Sequence, residues 1–286
     1  MAKKAYVGIN NVARKVSKMY VGVNGVARKV KKAYVGVNGV AREFYTILPK
    51  IVTWNGGTDA EIVAMVQAAD KGLINLADYW SVGDKRTISL SAMSASYVGE
   101  SHVAQSITLV IMDVGGKTLT SATESGRTTC SFIVGMEDNL KEKGYMNSSN
   151  TNVGGWTSCA RRTWCNNIFK NAIPNTLLPI FKQFQNKTSA GNKSSTINTN
   201  NDWFALPTEV EVSNTTTRSF SGEGTQFTWY ETSSNRIKTT NGTTATWWGR
   251  SPHPKGSDVF AGTNRNGVVT SDGASVNNSI SPFGVI

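Results

Sequence analysis

The sequence predicts an α+β chain in which a run of β-hairpin repeats precedes a mixed body that closes on a small antiparallel sheet. Three observations predict it. Residues 3–44 repeat with a period of 14, and each unit holds a turn pair between β-forming residues. A capped amphipathic helix at 59–71 is followed by β-forming runs at 87–90 and 107–113. The last forty residues alternate short apolar runs with turn residues, which is the pattern of a sheet with one face inward.

The three repeat units start at Lys3, Ser17 and Lys31, with turn pairs Asn10-Asn11, Asn24-Gly25 and Asn38-Gly39. Asn-Gly supplies the positive φ that both centres of a type I′ turn require. The twelve residues between turns would form either one long strand of a meander or two shorter strands bent at the Lys-Lys pairs. Both faces mix apolar residues with Lys or Arg, so such a segment buries little alone and is marginal without a partner surface. Tyr6, Arg14, Tyr20, Arg28, Tyr34 and Arg42 recur at equivalent positions and are the attachment candidates. Residues 1–46 are thus expected to join the chain to a larger assembly. The alternatives are a solvated basic leader or a phosphate-binding arm, and no base-reading motif accompanies the latter.

In the body, 47–286, residues 45–58 are expected to open with a strand and a turn. Thr58 and Glu61 then form a capping box for the helix at 59–71, whose Ile62, Met65, Val66 and Ala69 share a face and which Gly72 ends. Residues 107–113 read as a buried strand, and 114–155 are less regular, with Gly, Ser, Thr and Asn clusters on both sides of 131–135. A second helix is expected at about 158–172, with Ala160, Trp164 and Ile168 on one stripe and Pro174 beyond its end. A third would start at 175 with Pro179 in its first turn and bury Ile180, Phe181 and Phe184. Residues 186–201 are polar and read as an exposed excursion, after which 202–207 return to the core. In the terminal stretch Trp247, Trp248, Val259, Phe260, Val268, Phe283, Val285 and Ile286 are the expected core positions.

The net charge of +11 is unevenly placed. Residues 1–44 hold ten Lys/Arg against Glu43, a balance of +9, and the other 20 basic and 18 acidic residues leave +2. Cys130, Cys159 and Cys165 fit neither a disulfide framework nor a zinc spacing and are expected as buried free thiols, in keeping with synthesis in a reducing cytoplasm. The basic N-terminus is followed by no apolar signal core, and no run of 18 apolar residues predicts a membrane span.

Several short motifs add a family resemblance. Trp247-Trp-Gly-Arg-Ser-Pro252, Val259-Phe260, Asn266-Gly-Val268 and Ser281-Pro-Phe-Gly-Val-Ile286 resemble the end of a phage tail-fibre family with a C-type-lectin-like fold. That fold is shared with formylglycine-generating enzymes and with proteins diversified by retroelements. Gly154-Gly155-Trp156, Ala160-Arg161-Arg162, Asn171-Ala-Ile-Pro174 and Leu206-Pro-Thr-Glu-Val210 extend the resemblance over roughly residues 50–286. It implies a receptor-binding or tail-tip protein, located in a virion tail or tail-like particle and made in the bacterial host's cytoplasm. It also implies a homo-oligomer, with a trimer favoured. Its partners would be a bacterial surface glycan or protein, and other tail proteins through residues 1–46; no specific nucleic acid and no membrane insertion are expected. The oxidase chemistry of the enzymes with this fold uses paired cysteines in the C-terminal region, and no cysteine follows Cys165.

No catalytic constellation stands out. His102 and His253 are the two histidines, both expected in exposed loops, and no nucleophile elbow, metalloprotease or phosphate-loop motif is present. Asp113, Glu223, Asp258 and Asp272 offer oxygen ligands whose spacing specifies no calcium site, so no metal or cofactor is predicted. A polysaccharide-degrading enzyme would need paired carboxylates across a cleft, with Glu223 or Asp258 as candidates. The stronger expectation is a non-catalytic display surface made of Trp248, His253, Lys255, Asp258, Asn264, Arg265, Asn266, Ser271, Asp272 and Asn277. Trp156 and Trp248 are its candidate aromatic anchors.

Overall fold

A computed structural model describes residues 6–9, 12–16, 18–23, 26–37, 40–46 and 48–286. The repeat forms three separate antiparallel hairpins, β1 (Tyr6–Ile9) with β2 (Val12–Lys15), β3 (Tyr20–Val23) with β4 (Val26–Lys29), and β5 (Lys32–Val37) with β6 (Val40–Thr46). The bend at Val30 and Lys31 divides β4 from β5, so the short-strand alternative holds. Register repeats with sequence: Val7 pairs with Arg14, Val21 with Arg28 and Val35 with Arg42. The turn pairs lie outside the described residues. Every residue of β3 and β4 is exposed, so this hairpin gains little from burial.

The body begins without the expected strand. β6 ends at Thr46 and residues 48–53 form no strand; Trp80 Nε1 donates to the Val52 carbonyl at 2.9 Å. Thr58 and Glu61 cap α1 (Asp59–Asp70) reciprocally, and Ile62, Met65, Val66 and Ala69 are buried as their spacing requires. Gly72 follows at φ +68.

The central sheet has the order β17-β9-β8-β7, all antiparallel, from β7 (Lys85–Leu90), β8 (Gln105–Val114), β9 (Phe132–Met136) and β17 (Phe283–Val285). The C-terminal strand therefore leaves the terminal sheet and pairs with β9, Gly284 opposite Val134. This corrects the expectation of one continuous C-terminal sheet. The reason is burial: Phe283, Gly284, Val285 and Ile286 are all buried, which suits a strand covered on both faces. One contiguous core runs from Trp54 to Ile286 and ties α1 to the last residue of the chain.

The helix expected at 158–172 is present with a defect, as α2 (Ala160–Trp164) continues through a π turn (Cys165–Phe169) into α3 (Lys170–Ala172). The third expected helix shrinks to one 3-10 turn at Leu178–Ile180, and Phe184 instead opens a strand. That strand, β10 (Phe184–Gly191), pairs with β11 (Ser194–Asp202), so the polar excursion is a hairpin. Asn186, Thr188, Ser189, Asn200 and Asp202 are buried on it. Composition concealed it, because polar side chains take the inward positions, where Thr188 Oγ1 accepts from Arg250 Nε and Asp202 accepts from Trp156, Arg162, Asn166 and Asn186.

After α4 (Glu209–Ser213) and the short hairpin β12 (Lys238–Thr240) with β13 (Thr243–Ala245), the terminal sheet is β14-β15-β16. Its strands are β14 (Trp247–Pro252), β15 (Val259–Thr263) and β16 (Val269–Gly273). Among its expected core positions Val259 is half-buried and Val268 is exposed. Val268 follows Gly267, which sits at φ +75, so it belongs to the turn and not to the strand pleat.

Candidate functional site: the polar edge of the terminal sheet

The β15–β16 ladder separates two polar clusters. Thr263 pairs with Val269 at one end and Val259 with Gly273 at the other, roughly 13 Å apart at about 3.3 Å per residue. At the first end Asn264 Oδ1 accepts from the backbone N–H of Asn266 (2.9 Å) and Val268 (3.1 Å). Asn264 is therefore consumed in shaping its own turn, and Arg265 and Asn266 stand exposed at the tip.

The second end gathers the 253–258 loop and the segment after β16. Asn150 Nδ2 donates to Asp258 Oδ2 at 3.1 Å, Asn278 Nδ2 donates to Asp272 Oδ2 at 2.7 Å, and Ala274 N–H donates to the Asp258 carbonyl at 2.7 Å. Asp258 and Asp272 brace the loops, leaving Lys255, Ser275 and Asn277 exposed and Ser271 half-exposed. His253 Nδ1 accepts from the Lys255 N–H at 3.1 Å, and Arg218 Nη1 lies 3.4 Å from Nε2. Burial and the neighbouring Arg218 lower the His253 pKa, favouring neutral imidazole. Asn150 and Arg218 carried no sequence signal, since each is remote in the chain from the loop it supports.

Three expectations fail here. Trp248 is fully buried, with Nε1 donating to the Gly144 carbonyl at 2.7 Å, and Trp156 is fully buried with Nε1 donating to Asp202 Oδ2 at 2.9 Å. Neither can face a ligand. His102 is buried, not in an exposed loop; its ring lies 5.1 Å from that of Trp164, and desolvation first, then Arg161, lower its pKa to about 4. Glu223 is buried, accepting from Ser189 N–H at 2.9 Å and from the Ser251 hydroxyl, so it is not a solvated or cleft-facing carboxylate.

Glu223 belongs to a buried charge network that the motifs build together. A bulge between Trp248 and Pro252 turns Arg250 and Ser251 inward. Arg250 grips Glu211 through two bonds of 2.7 and 2.8 Å, and Thr208 N–H and the Lys117 ammonium complete the carboxylate. Desolvation opposes ionisation of Glu211, yet the two cations and these hydrogen bonds hold its pKa below the usual carboxylate range. Burial raises the Glu223 pKa. A cleft of about 320 Å³ reaches the edge of this network at Lys117 and Glu223. Lys117, Glu211, Glu223 and Arg250 each have an internal partner, so the network organises the fold. Burial also raises the thiol pKa values of Cys130 and Cys159 to about 11, and that of Cys165 further, so all three are inert free thiols.

Among the described residues no group of three or more His, Cys, Asp or Glu side chains is arranged to hold a metal ion, and no helix is long and apolar enough to cross a membrane. Residues 133–284 match a domain of unknown function, DUF6273. The match spans just over half of the chain. The protein belongs to the DUF6273 family. The match begins within β9 and ends within β17, two strands paired to each other, so the family unit is closed in space while β7, β8 and α1 extend it. No curated protein and no solved structure matches the chain.

Proposed function

We propose that this chain is a receptor-binding or tail-tip protein of a phage or phage-like particle. Its N-terminal hairpins attach it to other tail proteins, and a C-type-lectin-like body presents the loops of 253–278 to a bacterial surface ligand. The observation that carries the reading is the division of the chain. Repeated basic hairpins, of which β3–β4 is solvent-exposed, precede a nearly neutral body whose terminal sheet keeps Trp247, Trp248 and Phe260 inside and polar loop tips outside. The motif resemblance supplies the lectin-like fold and the particle; the mixed α+β architecture is compatible with both. Recognition without covalent chemistry fits carboxylates and thiols that are braced or buried. Weak sites repeated on an oligomer would gain avidity.

The test is binding of the full-length protein to a panel of intact bacteria, against a variant with alanine at Lys255, Arg265, Asn266 and Asn277. These side chains are exposed, so the fold should survive. Saturable binding to particular strains, weakened roughly 10-fold or more in the variant, is the expected result, since four rim contacts of a few tenths of a kcal/mol suffice for that loss. Undiminished binding by the variant removes the display surface from these residues. Binding to no strain, the host of origin included, leaves a purely structural particle component.

A further inference from the structure

The tip residue Arg265 also lines a groove of about 510 Å³ between the 141–143 segment and the β12–β13 hairpin, with Lys141, Lys143, Asn241, Thr243 and Thr244. That volume lies within the ~300–1,000 Å³ typical of small-ligand sites. Its three cationic side chains have no ion-pair or hydrogen-bond partner among the described residues. The one carboxylate of the lining, Glu142, is already engaged: its oxygens accept from Gln105 Nε2 at 3.1 Å and Val103 N–H at 3.4 Å.

The walls are held in place. Lys141 N–H donates to Gln105 Oε1 at 2.9 Å, Asn241 Nδ2 donates to the Lys141 carbonyl at 3.1 Å, and Thr239 N–H donates to Asp138 Oδ1 at 2.7 Å. Asn264 fixes the turn that carries Arg265. Three like charges thus line one concavity against a single carboxylate, Glu142, which favours entry of an anion. The hydroxyls of Thr243 and Thr244 are exposed beside them and can accept or donate to a polyol.

We infer that this groove binds an anionic, hydroxyl-bearing unit of a bacterial surface glycopolymer, the three cations taking the anionic oxygens and Thr243, Thr244 and Asn241 taking the hydroxyls. The inference rests on the receptor-binding reading and names the ligand chemistry for it. The anion can be a phosphodiester or a uronate carboxylate, and both place charge and hydroxyls on one repeating unit.

The experiment is calorimetric titration of the full chain at about 0.15 M ionic strength, where long-range attraction is screened. The probes are a glycerol-phosphate oligomer, an oligouronate and, as a polyanion without hydroxyls, inorganic polyphosphate. Binding of one or both hydroxyl-bearing probes in preference to polyphosphate is expected, and the stronger of the two identifies the anion. Lys141→Gln with Lys143→Gln and Arg265→Gln should weaken that binding roughly 30-fold, as three exposed charge contacts imply. Lys18→Gln with Lys29→Gln and Lys31→Gln removes the same charge from the basic repeat and should weaken it less than about 3-fold. Thr243→Val with Thr244→Val should erase the preference over polyphosphate.

Equal losses in the groove and repeat variants, equal affinity for polyphosphate, or no binding of either hydroxyl-bearing probe at about 1 mM would overturn the inference. A chain that binds cells but neither glycopolymer loses the groove as its ligand site and keeps the receptor role. One that binds a glycopolymer through the groove yet attaches to no cell keeps the site and loses that role.

Discussion

Glu211 shows how a single side chain couples distant parts of this chain. It lies in α4, accepts from Arg250 in the β14 bulge and Lys117 after β8, and caps its own helix through Thr208. Glu211→Gln would leave two buried cations facing an amide, so a loss of about 3–5 kcal/mol is expected in urea unfolding, whereas Glu61→Gln on the solvent side of α1 should cost far less. Glu211 was only half legible: Thr208 and Glu211 form the same Thr-x-x-Glu box as Thr58 and Glu61, but its pairing with Arg250 depends on the bulge, which no local pattern announces. His102 makes a second prediction. Its folded pKa, about 4, lies below the usual 6.5 because burial and Arg161 disfavour the imidazolium, so unfolding takes up a proton between those values. Stability should therefore be fully present above pH ~6.5 and decline by up to ~1.4 kcal/mol per pH unit on acidification toward pH ~4. The facing groups are Arg161, Trp164 and Glu142, whose Oε2 is 3.3 Å from Nδ1 without hydrogen-bond geometry. In His102→Gln the slope between pH 6.5 and 5 should flatten; an unchanged slope assigns that titration to another group.

Among the elements, the β10–β11 hairpin departs furthest from what its sequence advertises. Its inward positions include Asn, Thr and Ser, and donors from elsewhere reach two of its buried side chains, Arg250 Nε to Thr188 Oγ1 at 3.0 Å and Trp156 Nε1 to Asp202 Oδ2 at 2.9 Å, while Asn186 Nδ2 bonds Asp202 Oδ2 at 3.1 Å within the hairpin. Polar alternation gives no hydrophobic period, so the strand was invisible to a rule built on apolar spacing. The capped helix and the strand at 87–90 were readable because burial there is apolar and periodic, and the strand at 107–113 because it contains a continuous apolar run. The hairpin is keyed to the rest of the body by Gly191, at φ +73, where an added Cβ would fall 1.8 Å from the Asn152 carbonyl oxygen. Gly191→Ala must both strain the turn and displace that backbone, and should destabilise by about 3 kcal/mol or more. Gly242→Ala provides the comparison: it shares a positive φ of +77 but has open space around it, so only the conformational term of about 1–2 kcal/mol remains. Equal losses in the two variants would remove the packing role assigned to Asn152.

At the scale of the whole molecule, charge and burial divide the chain at the same place. Residues 1–44 carry +9 and include β3 and β4, which are exposed throughout, while the contiguous core begins at Trp54. That division was legible from the 14-residue period and from the placement of Lys and Arg. The destination of the last strand was not, because pairing Val285 with Ile133 is a contact across about half the chain. A hairpin that buries so little contributes little stability, so a chain shortened to residues 47–286 should unfold cooperatively with a urea midpoint close to that of the full chain. Its assembly should differ. Three hairpins with matching registers present the same Val–Arg pairing three times, and marginal hairpins of this kind are stabilised by packing on copies or partners. In analytical ultracentrifugation the full chain should sediment as an oligomer and the shortened chain as a monomer, with folding equal in both. An oligomer that persists in the shortened chain would place the self-association surface on the body, and a full chain that is itself monomeric would leave the hairpins to bind a different protein.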